Sequence, residues 1–228
     1  MNRISNIFAR IRTLGLHATL ELIMVRVRSF FDLIFPVVIW GERIGLRSVK
    51  SPLTNSEVEQ IYGWSRDEQV LRWSGGIRSE LSLPEFRDQI RRERWHPESN
   101  QRLFYIVTKD EGVVGRVGLY TIDWLKQEGE FGISIDKNYW DKRYGREATD
   151  MLIRYIFART PIRRIYLGTF KDNIRAQRSF AASGFRVTGT IERFLPSEGR
   201  QVTGVAMEIT PLDLTKHITM TESDKQTG

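Results

Sequence analysis

The stretch Gly129-Glu130-Phe131-Gly132-Ile133-Ser134-Ile135, the loop of residues 136–144 and the segment Gly145-Arg146-Glu147-Ala148 together decide how this chain folds. Apolar Phe131, Ile133 and Ile135 alternate with Glu130, Gly132 and Ser134, the pattern of a half-buried strand. The loop then brings Lys142, Arg143 and Tyr144 to the start of a helix that carries Arg146 in its first turn. A helix start exposes main-chain amides at the positive end of its dipole. With three cations and a glycine that lets the backbone approach, it makes an anion site of the phosphate-binding type. Between Trp140 and Phe180 there are ten basic and four acidic residues. So compact a cluster suits a phosphorylated small ligand better than a long nucleic-acid track. A solvated basic helix face would carry the same charge, and charge alone does not separate the two.

Outward from this stretch, residues 164–170 read as a strand, 174–183 as a short helix, and 185–191 and 202–209 as two more strands. Upstream, two apolar runs, 102–108 and 113–121, flank the turn Asp110-Glu111-Gly112 and predict a hairpin. Thr54 with Glu57 and Ser82 with Glu85 form two capping boxes, each opening a helix. Residues 37–49 read as an extended stretch or strand pair carrying Ile44, Leu46 and Val49. The order is that of a mixed α/β (α+β) domain over residues 36–211 with one parallel crossover, followed by a polar, frayed tail over 212–228.

A chain of 228 residues buries a core without staples, and its lack of cysteine excludes a disulfide scaffold, a zinc finger and a thiol nucleophile. Three scattered histidines, His17, His96 and His217, give no ground for a metal site, and none is expected. The formal net charge is +7. Residues 1–50 hold eight basic and three acidic side chains, so a net +5 lies at the N-terminal end. Leu16, Leu20, Ile23, Val27, Phe30 and Ile34 recur at helical spacing and predict an amphipathic helical extension over residues 1–35, closed by Pro36. Glu21, Arg26, Arg28 and Asp32 interrupt any membrane span. The extension reads as a helix packed on the domain or a second subunit, as a basic anchor on an anionic membrane surface, or as a transit peptide. A cytoplasmic location is expected, membrane-peripheral on the second of these readings, and a homodimer on the first.

Three segments resemble the GNAT superfamily of N-acetyltransferases, in the branch of ribosomal-protein, spermidine and amino-sugar N-acetyltransferases. They are the strand 129–135, the loop and helix start 138–148, and Asp172-Asn173-Ile174-Arg175-Ala176 closed by Ser183-Gly184-Phe185. The resemblance spans residues 44–207 and implies a mostly antiparallel sheet, flanked by helices, with a splayed central strand pair. It implies acetyl-CoA as acyl donor, its pantetheine arm along Ile133, Ser134 and Ile135. Its pyrophosphate would lie on Lys142, Arg143, Tyr144, Gly145 and Arg146, with Asn173 bonded to the arm.

In the family pattern Q/R-x-x-G-x-G/A, Trp140 stands for the first residue and Arg143 for the first glycine, while Gly145 is retained. The implied reaction is acyl transfer to a primary amine of a small molecule, such as an amino sugar or polyamine, or of a protein N-terminus. Glu130 is the catalytic residue expected to take the amine's proton, and an amide near Ile135 is expected to stabilise the developing oxyanion. The family tyrosine that protonates the leaving thiolate is Phe180 here, which leaves Ser179, Ser183 or water for that step. The acceptor side is expected around Trp64, Trp73, Glu85 and 194–201, with Asp123 and Glu128 either an acidic patch or a solvated loop. Phe180 also leaves open a catalytically impaired protein that binds CoA and docks to a membrane or partner through residues 1–35. Nucleic acid is disfavoured, since no helix-turn-helix or aromatic RNA-binding motif occurs.

Overall fold

The structure, a computed structural model, describes residues 38–76, 78–95, 100–196 and 198–226. The predicted N-terminal helix lies outside the described residues.

Two short strands, β1 (Val38–Trp40) and β2 (Gly45–Ser48), form the expected pair, with Val49 just beyond it. Three helices follow: α1 (Asn55–Trp64), α2 (Glu68–Ser74) and α3 (Leu83–Trp95). Next come the hairpin β3 (Arg102–Thr108) and β4 (Gly112–Asp123), then β5 (Glu128–Ile135), α4 (Tyr144–Arg159) and β6 (Arg164–Phe170). The chain ends with α5 (Ile174–Ala181), β7 (Arg186–Leu195), β8 (Arg200–Ile209) and α6 (Pro211–Gln226). All eight strands join one sheet in the order β1-β2-β3-β4-β5-β6-β8-β7. Every neighbouring pair is antiparallel except β5 and β6, which the α4 crossover makes parallel.

The periodicity of the strands divides the core. Leu119, Phe131, Ile165, Leu167 and Ile209 face one side, against Leu152, Ile153 and Ile156 of α4. Tyr105, Val107 and Val113 face the other, against Ile61, Trp64 and Val70 of α1 and α2.

The first capping box forms in both directions, and the second through its Ser82-to-Glu85 bonds. Thr54 Oγ1 accepts from Glu57 N at 3.2 Å while Thr54 N donates to Glu57 at 2.8 Å, and Ser82 N donates to Glu85 at 2.8 Å. Glu85, expected on the acceptor side, is engaged at the start of α3 and does not line the cavity.

Four elements differ from the sequence reading. α2 is not anticipated; Asp67 Oδ1 accepts from Gln69 N and Val70 N at 3.0 and 3.3 Å, and Gly75, at φ 70°, ends the helix. β7 and β8 run longer than their apolar stretches, because each gives the other a hydrogen-bonding partner whatever its composition. The expected frayed tail is helical through α6. Thr210 N donates to Asp213 Oδ2 at 2.9 Å, Asp213 N returns a bond to Thr210 Oγ1 at 3.3 Å, and Leu214 packs on the core.

One contact ties α4 to the edge of the sheet. Glu147, in the first turn of α4, accepts from Arg43 N at 2.8 Å and lies 3.3 Å from the Arg43 guanidinium. Gly41 makes room for it: a Cβ there would stand 2.5 Å from Glu147 Oε1 and 2.7 Å from Met151 Sδ. Glu147→Ala removes a hydrogen bond to a charged group and is expected to cost about 1–3 kcal/mol. Urea denaturation measures it; an unchanged midpoint would mean that the β1–β2 loop is held by something else.

Candidate functional site

β5 and β6 pair only at Glu128 with Arg164, Gly129 with Ile165 and Glu130 with Tyr166. Beyond Glu130 the strands part, while β5 stays paired with β4 as far as Ile135. The main-chain groups of residues 131–135 that face away from β4 therefore have no strand partner. An aromatic plug props the gap from the α4 side. Phe131 packs against Phe180 and Phe185 at ring separations of 5.6 and 5.7 Å, and Phe180 meets Phe185 at 5.9 Å. Phe180 and Phe185, brought in by α5 and the turn after it, are 7% and 3% exposed. These rings fill the space that a continuous sheet would close, so the splay is a consequence of packing.

The gap opens into a cavity of about 950 Å³ that runs from α4 and α5 to the helices α1–α3. At one end stands the N-terminus of α4. No side chain caps it: Arg143, the N-cap residue, is left-handed at φ 62° and ψ 9°. The first-turn amides thus remain free for an anion. Trp140 fastens the loop to the strand, its Nε1 donating to Ile135 O at 3.0 Å, and the Arg175 guanidinium lies 3.9 Å above its ring. Burial there pulls the Arg175 pKa below its ordinary value, opposed by Asp141. Asn173 caps α5, accepting from Ala176 N at 3.2 Å, which leaves its Nδ2 as a donor on the cavity wall.

At the other end the cavity reaches the sheet face that carries Glu130, Gly132 and Ser134. Tyr120, on a bulge of β4, lays its ring over Gly132, where a Cβ would come within 2.8 Å of it. Burial pushes the Tyr105 hydroxyl up to about 12 and raises that of Tyr120, so both are neutral donors at physiological pH. Six arginines and three carboxylates line the cavity, an excess of positive charge that favours an anionic ligand.

A family model described as "Acetyltransferase (GNAT) domain" matches residues 47–186. The chain belongs to the GNAT acetyltransferases. It is 26% identical over 166 residues to an uncharacterized N-acetyltransferase p20 of Bacillus licheniformis, covering 72% of this chain and 90% of that protein. The spermidine N-acetyltransferase of Vibrio cholerae, solved with CoA and spermine, shares the fold at TM-score 0.65 and 19% identity, over 77% of this chain and 99% of that one. The ribosomal-protein-S5-alanine acetyltransferase of Vibrio fischeri does so at TM-score 0.64 and 20% identity, over 76% and 96%.

In this acetyltransferase, Glu130, Ile133, Ser134, Ile135, Arg143, Tyr144, Gly145, Arg146 and Asn173 all reach the one cavity. Lys142 does not line it; its ammonium sits 4.7 Å from the Tyr139 ring centre. The donor set suits a CoA-type molecule, with a free strand edge for an amide-bearing arm and uncapped helix amides beside arginines for a pyrophosphate. Asp123 and Glu128 form no acidic patch on the cavity. Asp123 accepts from the amides of Leu125 and Lys126 at 3.0 and 3.1 Å, and Glu128 lies 2.7 Å from Arg164. Ser179 lines the cavity, whereas Ser183 is buried outside the lining.

Sequence reasoning missed Glu93, Arg116, Tyr120 and Arg193 on the cavity wall. Arg116 carried a signal, a single charge inside the apolar run Val113-Val114-Gly115-Arg116-Val117.

Arg143 occupies a left-handed conformation that glycine adopts without strain. Arg143→Gly is expected to stabilise the fold by about 1 kcal/mol, or roughly 2–4 °C in Tm, while weakening CoA through the lost charge. Thermal melting and calorimetry read the two effects separately; a lower Tm would remove the strain argument.

Proposed function

We propose that the protein transfers an acetyl group from acetyl-CoA to a primary amine of a small molecule, an amino sugar or polyamine among the candidates, or of a protein N-terminus. The reading rests on one observation above all. The β5–β6 pairing ends at Glu130, and the Glu130 carboxylate enters the cavity with no hydrogen bond or ion pair among the described residues. Acetyl-CoA, bound in the gap, supplies an acyl group activated as a thioester. Glu130, directly or through a water, accepts the proton the amine must lose. As the new N–C bond forms and the C–S bond breaks, the free N–H groups of β5 near Ile135 are donors of the kind that stabilise charge on the acyl oxygen. Phe180 has no proton for the departing thiolate, so water or the Ser179 hydroxyl takes that part. A thiolate is a good enough leaving group to need little help.

The uncapped α4 N-terminus, Arg143, Arg146 and Arg175 hold the pyrophosphate end in this reading. Calorimetry with acetyl-CoA, then a thiol-release assay over an amine panel, tests it; absence of CoA binding at millimolar concentration would end it. Phe180 favours a second reading, a CoA-binding protein of impaired turnover that docks through residues 1–35. Its signature would be CoA binding with no amine turned over, and liposome flotation lost on deleting those residues.

A further inference from the structure

Two half-buried arginines on the sheet face of the cavity each hold an Nε that has no hydrogen-bond partner among the described residues. Arg116 of β4 stands in register with Ser134 of β5, so it shares the face of Glu130, four residues back along the same strand. Its Nε is shut off from solvent with no hydrogen-bond partner, and no carboxylate among the described residues lies within ion-pairing distance of it. The Tyr120 ring centre lies 5.7 Å from its guanidinium carbon.

Arg193 repeats this arrangement from the other arm of the splay. Its Nε is likewise buried and unpartnered, and its guanidinium carbon is 5.5 Å from the Phe170 ring centre. Glycines clear its path: a Cβ on Gly168 would stand 2.7 Å from its Nη1, and one on Gly204 would stand 3.0 Å from its Cδ. Gly168 lies two residues beyond Tyr166, the register partner of Glu130, so Arg193 also overlies the Glu130 face.

A guanidinium offers five donors and no acceptor, so an Nε held from water without a partner leaves one of those donors unmet. Neither arginine belongs to the α4 and α5 end of the cavity, where the pyrophosphate arm is placed. Glu93, also on the cavity wall, accepts instead from Gln89 Nε2 at 3.0 Å. We infer that the acceptor is an amine that also carries an anionic group, a carboxylate or a phosphate, which Arg116 and Arg193 bind while Glu130 faces the amine.

This inference rests on the acyl-transfer reading and narrows it. A carboxylate or phosphate accepts paired N–H bonds from a guanidinium fork, whereas a polyamine would bring further positive charge against two uncompensated cations. Between the two anion types the geometry makes no distinction.

The full-length protein is to be assayed for CoA release with matched amines that differ only in the anion. Suitable pairs are ethanolamine against phosphoethanolamine, glucosamine against glucosamine 6-phosphate, and propylamine against γ-aminobutyrate, with spermidine as the polycation. At least one anionic member is expected to exceed its neutral partner by about tenfold or more in kcat/KM. Arg116→Gln and Arg193→Gln are expected to collapse that ratio towards one, with acetyl-CoA affinity retained. A phosphate-selective or a carboxylate-selective result would each support the inference and name the group. Preference for neutral amines or spermidine throughout would overturn it.

If no amine is turned over although acetyl-CoA binds, the acyl-transfer reading fails on its own. Calorimetry of phosphoethanolamine and γ-aminobutyrate against the CoA-saturated protein then decides the anion site. Binding that the arginine variants lose would support it, and no binding of either probe would refute it.

Discussion

Glu130→Gln is expected to lower kcat/KM for the amine by about 10²–10⁴, the usual contribution of a positioned general base. The substitution keeps the shape of the side chain and removes only its capacity to take a proton. Because the carboxylate makes no hydrogen bond or ion pair among the described residues, the substitution breaks no such bond of the fold. Tm and acetyl-CoA affinity should therefore stay at wild-type values, which separates a catalytic role from a structural one. Steady-state kinetics beside calorimetry gives both readings from one preparation. Retained activity would move the base to another group, with Glu93 on the same cavity wall the next to replace.

The second large effect is on stability. Phe131 is 5% exposed and contacts Phe180 and Phe185 at once, so it belongs simultaneously to β5, to α5 and to the turn that leads into β7. Phe131→Ala is expected to cost about 3–5 kcal/mol, combining lost transfer free energy with the cavity left behind. Urea denaturation should show the midpoint falling sharply with the slope unchanged. The same variant should lose CoA affinity even at temperatures where it remains folded, because the three rings hold β5 and β6 apart. A folded variant with wild-type CoA binding would show that the splay does not depend on the plug.

Most of the strands and the main crossover were legible because their residues repeat at a period the backbone imposes. Phe131, Ile133 and Ile135 mark one face of β5 whatever surrounds it, and Thr54 with Glu57 announces a helix start through bonds that span three residues. α2 and α6 were missed for a related reason. Their starts rest on Asp67 and on Thr210 with Asp213, local signals that lead into segments too short or too polar to show an apolar stripe. The loop proposed to hold a pyrophosphate carries its glycine and cations in one short stretch of sequence. Glu93, Arg116, Tyr120 and Arg193 do not announce themselves that way, since they come from α3, β4 and β7, remote in sequence, and meet on one cavity wall only when the sheet forms.

What the sequence determined by itself was local: which segments are strands and helices, where the basic helix start lies, and that no cysteine is available for the chemistry. What the tertiary structure decided was which of those charges are spoken for. Glu128 and Glu130 are two residues apart on one strand, yet Glu128 is taken by Arg164 and Glu130 makes no ion pair among the described residues, because the β6 residue in register with Glu128 is Arg164 and the one in register with Glu130 is Tyr166. Arg116 and Arg193 look in the sequence like any other basic residues of a chain with net charge +7. Only folding buries the Nε of each against an aromatic ring and withholds a partner from it, and that pairing of burial with an unmet donor is recorded by no spacing along the chain.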